Sequence, residues 1–138
     1  ELGGGYGGLC YLLSQLVGFG EYTFLEVPEV LMLAHRYLKE EKKLENVTLG
    51  MADDLEPKES YDLLVSEYAF SELDEECMEK YTEKWLRKCK RVYLSMNIWD
   101  EGRKKRWYEK LKSIFSEVRE FAVEPATEWV NYVWIGIQ

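Results

Sequence analysis

The chain has 138 residues, 46% of them hydrophobic and 14% aromatic, and its net charge is −8. This length and composition predict one globular domain over residues 1–138 and exclude a disordered chain. The acidic balance argues against nucleic acid as a partner, and no apolar run reaches the roughly 20 residues of a membrane span.

The first half of the chain alternates between helical and strand patterns. Its predicted elements are a helix over 8–17, a strand over 22–27, a helix over 28–42 and a strand over 46–49. Gly18 and Gly20 end the first helix. Pro28 suits the first turn of the second helix, where its missing N–H costs no hydrogen bond. Apolar residues then recur at helical spacing.

The second half continues this alternation. Its predicted elements are strands over 61–66, 91–96, 118–123 and 132–137 and helices over 74–90 and 102–115. Ser71 and Asp74 have the spacing of a capping box. Trp85 and Trp107 fall on the apolar faces of the two helices, which indicates packing. The linker 124–128 is too short for a crossover helix, so the last two strands should pair antiparallel.

This order of elements predicts an α/β fold with a doubly wound, mostly parallel, Rossmann-like sheet and an antiparallel C-terminal hairpin. A glycine-rich loop begins almost at residue 1, where a complete strand normally precedes such a loop. We therefore expect a truncated first strand in the C-terminal part of a longer chain. An exposed edge beside that strand would permit a homo-oligomer.

The three cysteines, Cys10, Cys77 and Cys89, are odd in number and lack Cys-x-x-Cys spacing. They are typical of reduced thiols in a cytosolic protein and indicate neither a disulfide framework nor a zinc site. The start of the sequence lacks the basic segment of a signal peptide. These features predict a cytoplasmic protein with no metal site.

The opening segment, ELGGGYGG, fits two nucleotide-binding patterns. Gly3, Gly5 and Gly8 satisfy the GxGxxG dinucleotide fingerprint. Glu1, Gly3, Gly5 and Gly7 satisfy ExGxGxG, the first motif of class I methyltransferases. In both patterns, glycines allow a tight turn and let backbone amides approach a ligand closely. A glycine-rich hairpin or linker is the structural alternative.

Two acids bear on the choice between the patterns. Glu1 suits the ammonium group of a methionine moiety and would sit poorly beside an anionic pyrophosphate. Glu26, at the end of the second predicted strand, is placed to accept hydrogen bonds from two ribose hydroxyls. Both cofactor classes use such an acid, and an exposed edge acid without a ligand is the alternative for Glu26.

Three segments, ELGGGYGGL, FLEVPEVLMLA and DLLVSEYAFSEL, resemble the sugar O-methyltransferase family, and the resemblance extends over nearly the whole chain. It implies an S-adenosyl-L-methionine-dependent methyltransferase that acts on a sugar hydroxyl, with a sugar, nucleotide-sugar or polysaccharide acceptor. The chain departs from the family at Glu26, where aspartate is more common, and in lacking the region that usually precedes the glycine loop.

The expected cofactor contacts lie in the glycine loop or at the carboxyl ends of strands, where open α/β sheets bind ligands. They are Glu1, Gly3, Gly4, Gly5, Tyr6, Gly7, Glu26, Val27, Asp53, Asp54, Glu67 and Tyr68. Glu67 and Glu72 are also the catalytic candidates, because an acceptor hydroxyl must lose its proton during methyl transfer. Alternatively, these two acids cap a helix or face water, and Asp53 and Asp54 are ordinary loop acids.

Two other functions stay open on the sequence. An NAD(P)-dependent oxidoreductase would share the glycine loop, although Glu1 and the antiparallel C-terminal pair count against it. A non-catalytic Rossmann-like interaction module is the second alternative. The only histidine, His35, lies within the second predicted helix. A general base in this chain is therefore expected to be a carboxylate.

Overall fold

The computed structural model describes residues 1–123 and 131–138. The α-helices are α1 (Gly8–Leu16), α2 (Pro28–His35), α3 (Ala69–Glu72), α4 (Glu75–Lys84) and α5 (Glu101–Lys112). The strands are β1 (Tyr22–Leu25), β2 (Val47–Gly50), β3 (Leu64–Glu67), β4 (Arg91–Met96), β5 (Glu117–Ala122) and β6 (Tyr132–Ile137). The chain divides into two compact units, an N-terminal unit of Glu1–Glu56 and a C-terminal unit of Pro57–Gln138.

In the N-terminal unit, β1 and β2 pair in parallel, with Tyr22 opposite Val47 and Leu25 opposite Gly50. The chain start adds a short parallel segment to this sheet, because Leu2 forms a bridge with Leu25. Apolar side chains from the strands and from helices α1 and α2 meet in one core. Its buried members are Cys10, Phe24, Ala34, Leu38 and Val47.

The end of α1 and the start of α2 lie where the sequence indicates them. Gly18 adopts a left-handed φ of 68° after α1, and its N–H donates to Leu13 O at 3.0 Å. Pro28 occupies the first turn of α2. The predicted helix over 28–42 is α-helical only to His35, because Arg36–Glu41 forms a π-helix.

The sheet of the C-terminal unit has the order β3-β4-β6-β5. β3 and β4 are parallel, whereas β6 runs antiparallel to both β4 and β5. The predicted antiparallel pairing of the last two strands is confirmed. The sequence did not indicate that β6 inserts between β4 and β5. The linker 124–128 lies outside the described residues.

Three predicted boundaries in this unit were wrong, one of them the end of the helix over 102–115, since α5 ends at Lys112. β3 begins at Leu64 instead of Tyr61, and Tyr61 forms only an isolated bridge with Cys89. The predicted helix over 74–90 ends as an α-helix at Lys84 and is followed by a 3-10 turn, Leu86–Lys88. The apolar periodicity persists through this change, since Trp85 and Cys89 are both buried.

The predicted capping box was also wrong. Asp74 is itself the N-cap of α4, and its carboxylate accepts a hydrogen bond from Cys77 N at 2.7 Å. Ser71 lies in the preceding helix, α3. A side-chain acceptor at the N-cap satisfies one of the amides that a helix start leaves unpaired.

Replacing Asp74 with alanine is expected to lower Tm at neutral pH. Hydrogen bonds from Cys77 lower the pKa of Asp74 below its ordinary value. The stabilisation is therefore present above the ordinary aspartate pKa of about 3.9 and is lost as the pH falls below it. Thermal melts should show the difference between wild type and variant shrinking below about pH 4.

Asp74→Asn is the matched control, because asparagine retains an acceptor at the N-cap but does not titrate. Its Tm relative to Asp74→Ala should stay nearly constant through this pH range. A wild-type advantage over Asp74→Ala that persists unchanged at pH 2 would contradict the expectation.

Two of the buried tryptophans of this unit, Trp107 and Trp134, donate hydrogen bonds to carboxylates. Trp107 Nε1 donates to Glu75 at 3.0 Å, and Trp134 Nε1 donates to Glu120 at 2.8 Å. The same two acids pair with basic residues of α5, Glu75 with Arg103 and Glu120 with Lys104. The expectation that Trp107 packs inward is confirmed. Two of the basic residues of α5, Arg103 and Lys104, thus form ion pairs with acidic residues.

No helix in the described ranges combines the length and the apolar character needed to cross a membrane.

Candidate functional site

The glycine loop joins the chain start to α1 at the carboxyl end of β1. Leu25 N donates to Glu1 O at 2.9 Å, and Gly3 N donates to Leu25 O at 2.8 Å. The chain then bends through left-handed φ values of 73° at Gly3, 58° at Gly5 and 96° at Gly7. This bend places backbone amides beside the end of the strand, where open α/β sheets bind ligands.

The two sides of the loop differ in packing. A Cβ added at Gly7 would lie 2.7 Å from Leu38 Cδ1, and one added at Gly4 would lie 2.2 Å from Phe24 Cε2. Phe24 and Leu38 are both fully buried. At Gly5, in contrast, an added Cβ would meet no atom within 4 Å. The loop therefore rests on the core at Gly4 and Gly7 and presents open space at Gly5.

Glu26 lies directly against this loop. Its Oε2 accepts a hydrogen bond from Gly5 N at 2.8 Å, and its Oε1 accepts one from Val27 N at 2.9 Å. Glu26 N in turn donates to Gly50 O at 3.2 Å, which continues the pairing of β1 with β2. The structure thus brings the predicted ribose-binding acid to the glycine loop. Its contact with a ligand stays a prediction.

Glu1 is half-buried and lies beside Gly4 of the loop. Its Cδ is 2.7 Å from the position that a Cβ on Gly4 would occupy, and its Oε2 accepts a hydrogen bond from the Tyr22 hydroxyl at 3.0 Å. Burial, and then the Glu1 carboxylate, raise the pKa of Tyr22 well above its ordinary value. The Tyr22 hydroxyl therefore stays protonated and can donate this hydrogen bond. The sequence analysis did not identify Tyr22 as part of the site.

Cys10 is a buried thiol near the same carboxylate. Burial and the Glu1 charge raise the pKa of Cys10 to about 12. Burial likewise raises the pKa of Cys89 to about 12. Both thiols therefore stay protonated at neutral pH, and neither has the reactive thiolate of a nucleophilic cysteine.

The remaining predicted contacts of the N-terminal unit lie on its surface. Asp53 and Asp54 are exposed in the turn that follows β2, and Asp54 N donates to Met51 O at 3.2 Å. Tyr6 is 54% exposed, and its ring makes an edge contact with Tyr37 at 5.2 Å between centroids. Val27 is also exposed. Both aspartates follow the carboxyl end of β2.

A second polar cluster lies at the carboxyl ends of β3 and β4, within the C-terminal unit. Glu67 ends β3, and its Oε2 accepts a short hydrogen bond from Ser95 Oγ. Tyr68 follows with a φ of 65°, which is uncommon for a non-glycine residue. Its N–H donates to Ser95 O at 3.0 Å. Such backbone conformations often mark functional positions.

Ser71 and Asn97 extend this cluster. Ser71 Oγ lies 2.6 Å from Asn97 Oδ1 and 2.7 Å from Tyr68 O, and it accepts from Asn97 N at 3.3 Å. Glu72 is exposed at the end of α3, and only its backbone N–H, which donates to Tyr68 O at 3.3 Å, is fixed in this turn. Glu67 is therefore the more ordered of the two catalytic candidates.

His35, the histidine that the sequence places in the second predicted helix, is largely exposed, and its Nδ1 lies 3.5 Å from Glu40 Oε1. No group of three or more His, Cys, Asp or Glu side chains within residues 1–123 and 131–138 is arranged to hold a metal ion.

Comparison with known proteins gives similarity at the level of structure. No protein-family model matches the sequence, and no curated protein matches it significantly. The methyltransferase domain of bacterial CtHen1 superposes with a TM-score of 0.78 at 18% identity, over 99% of this chain and 88% of that chain. The likeness therefore bears on the fold.

Two further solved structures are similar to this chain in fold. The N-terminal domain of EvdMO1, crystallised in the presence of S-adenosylhomocysteine and D-fucose, has a TM-score of 0.75 at 16% identity, over 99% of this chain and 74% of that chain. The mitomycin 7-O-methyltransferase MmcR has a TM-score of 0.70 at 17% identity. The match covers 99% of this chain and 48% of MmcR. The α/β architecture with its mixed sheet, predicted from the sequence, is the class I methyltransferase fold.

Proposed function

We propose that this chain is an S-adenosyl-L-methionine-dependent methyltransferase. The observation that carries the proposal is the Glu26 carboxylate, held against the glycine loop by the N–H groups of Gly5 and Val27. It lies at the carboxyl end of β1, on a fold shared with methyltransferases of known structure. A nucleoside ribose placed here would meet a fixed anionic acceptor.

The chemistry of the loop suits a sulfonium nucleoside better than a dinucleotide. Glu1 and Glu26 both border the glycine loop, so a pyrophosphate would approach two carboxylates, whereas an ammonium group would be attracted by them. The open space beside Gly5 leaves room for close approach of a ligand to the backbone. We assign Glu26 to the ribose hydroxyls and Glu1 to the ammonium group.

The bound cofactor would supply an electrophilic methyl group, while the chain would bind and orient it. Orientation is the main contribution expected from the protein, since in-line transfer needs a near-attack geometry. Asp53 and Asp54 are proposed to contact the adenine end. Glu67 and Glu72 are proposed to orient or deprotonate the acceptor hydroxyl.

We propose a sugar hydroxyl as the acceptor. The resemblance of the three sequence segments to sugar O-methyltransferases supports this class. The EvdMO1 domain, whose structure was determined with D-fucose present, and MmcR, an O-methyltransferase, are consistent with an oxygen acceptor. The net charge of −8 argues against nucleic acid.

Isothermal titration calorimetry with S-adenosylhomocysteine tests the cofactor assignment. We expect saturable one-to-one binding by the folded chain and no binding of NADH at the same concentration. A transfer assay with radiolabelled S-adenosylmethionine and a panel of free and nucleotide-linked sugars, D-fucose included, tests the acceptor. Folded protein that binds NADH but not S-adenosylhomocysteine would overturn the proposal. Binding without transfer to any sugar would support the non-catalytic module.

A further inference from the structure

The side chain of Tyr22, at the start of β1, connects that strand to Glu1. Its hydroxyl donates to Glu1 Oε2 at 3.0 Å across 21 positions of sequence. The tyrosine backbone is fixed in β1, because Tyr22 N donates to Asn46 O at 2.9 Å. Its ring packs against Phe19, with 4.7 Å between centroids. The hydroxyl is thus presented from a rigid position.

The backbone of Glu1 is held just as firmly. Its nitrogen donates to Thr23 O at 2.8 Å, and its carbonyl oxygen accepts from Leu25 N at 2.9 Å. With both backbones held by these hydrogen bonds, the hydrogen bond from Tyr22 restricts the rotation of the Glu1 carboxylate. This carboxylate lies in close contact with Gly4, within the glycine loop.

We propose that Tyr22 is a positioning residue that orients the Glu1 carboxylate toward the ammonium group of the cofactor. The inference rests on the proposed function and adds a residue that no motif of the loop contains. A half-buried carboxylate is more stable when a donor satisfies one of its oxygens. Without the hydroxyl, the carboxylate would be freer to rotate, and ordering it on ligand binding would cost entropy.

Tyr22→Phe removes the hydroxyl and keeps the ring. The test compares two probes by calorimetry: S-adenosylhomocysteine, and 5′-methylthioadenosine, which has the same nucleoside thioether but no amino-acid portion. We expect the Kd for S-adenosylhomocysteine to rise about tenfold, as for loss of a hydrogen bond that organises a charged group. The Kd for 5′-methylthioadenosine should change by less than about twofold, because that probe has no ammonium group for Glu1 to bind.

Tyr11→Phe is the matched control, since Tyr11 and Tyr22 both pack against the core of the N-terminal unit. It should leave both affinities unchanged. In a Glu1→Gln background, Tyr22→Phe should weaken S-adenosylhomocysteine binding no further, because the two residues act through one contact.

Equal weakening of both probes would mean that Tyr22 only supports the fold, and it would overturn the inference. Unchanged affinity for S-adenosylhomocysteine would overturn it as well. Failure of the proposed function has a different signature, because wild-type protein would then bind neither probe.

Discussion

Replacement of Glu26 with alanine is expected to weaken S-adenosylhomocysteine binding by at least about 100-fold. In the proposed complex, this carboxylate accepts hydrogen bonds from both ribose hydroxyls, and bonds to a charged group contribute about 1.5–3 kcal/mol each. Two such bonds correspond to a change in Kd of roughly 100-fold or more. Calorimetric titration of the purified variant measures the effect directly.

Three further variants show whether the charge, the length or the mere presence of an acid matters. Glu26→Gln keeps the size but removes the charge, so it should bind with intermediate affinity. Glu26→Asp draws the carboxylate back by one methylene from Gly5 N, which is 2.8 Å away in the wild type. It should weaken binding less than alanine does. Glu29→Ala removes an exposed acid from the first turn of α2 and should have no effect.

Folding must be separated from binding in this series. In Glu26→Ala, the N–H groups of Gly5 and Val27 lose the carboxylate that accepts their hydrogen bonds. Because Gly5 is only half-buried and Val27 is exposed, water can accept these hydrogen bonds instead. Thermal melts of the four variants should therefore lie close to wild type. Affinity of Glu26→Ala within twofold of wild type would remove Glu26 from the site and leave the cofactor assignment without its main support.

The approach of Glu26 to the glycine loop was predictable because both features have local signals. Closely spaced glycines indicate a bend that other residues would strain, and Gly3, Gly5 and Gly7 all have positive φ. An acid at the end of the next strand must lie near that bend when the strands are parallel. The pairing of Leu2 with Leu25 provides this arrangement.

Tyr22 was not predictable by the same reasoning. A tyrosine at the start of a strand satisfies β propensity and apolar packing, so nothing in the local pattern distinguishes a functional hydroxyl from a packed ring. Its contact with Glu1 depends on the register between the chain start and β1. Register is a long-range property that a single sequence does not display.

The strand order of the C-terminal unit was likewise not predictable from the sequence. The short linker predicts that the last two strands pair, and they do, but it does not say which strand lies on the far side of β6. That neighbour is β4, which pairs with β6 from Arg91 to Met96. The boundary errors at Tyr61 and Lys84 arise because apolar periodicity reports burial, and burial continues through an isolated bridge and a 3-10 turn.

The second large effect concerns stability. Gly7→Ala is expected to lower the free energy of unfolding by about 2–6 kcal/mol, the sum of two separate costs of about 1–3 kcal/mol each. The first is backbone strain, since the φ of Gly7 is 96°. The second is overpacking, because the new methyl would lie 2.7 Å from the side chain of Leu38, which is fully buried. Urea denaturation followed by circular dichroism measures the change.

Gly18→Ala separates the two costs, because Gly18 has a similar left-handed φ of 68° but no atom within 4 Å of an added Cβ. It should lose only about 1–2 kcal/mol, the strain alone. Shortening the obstructing side chain in Gly7→Ala/Leu38→Ala should restore part of the overpacking cost relative to the sum of the single variants. Equal losses for Gly7→Ala and Gly18→Ala would show that Leu38 yields without cost. In that case the glycine at position 7 would be required by the turn alone, and the contact with Leu38 would not support the loop.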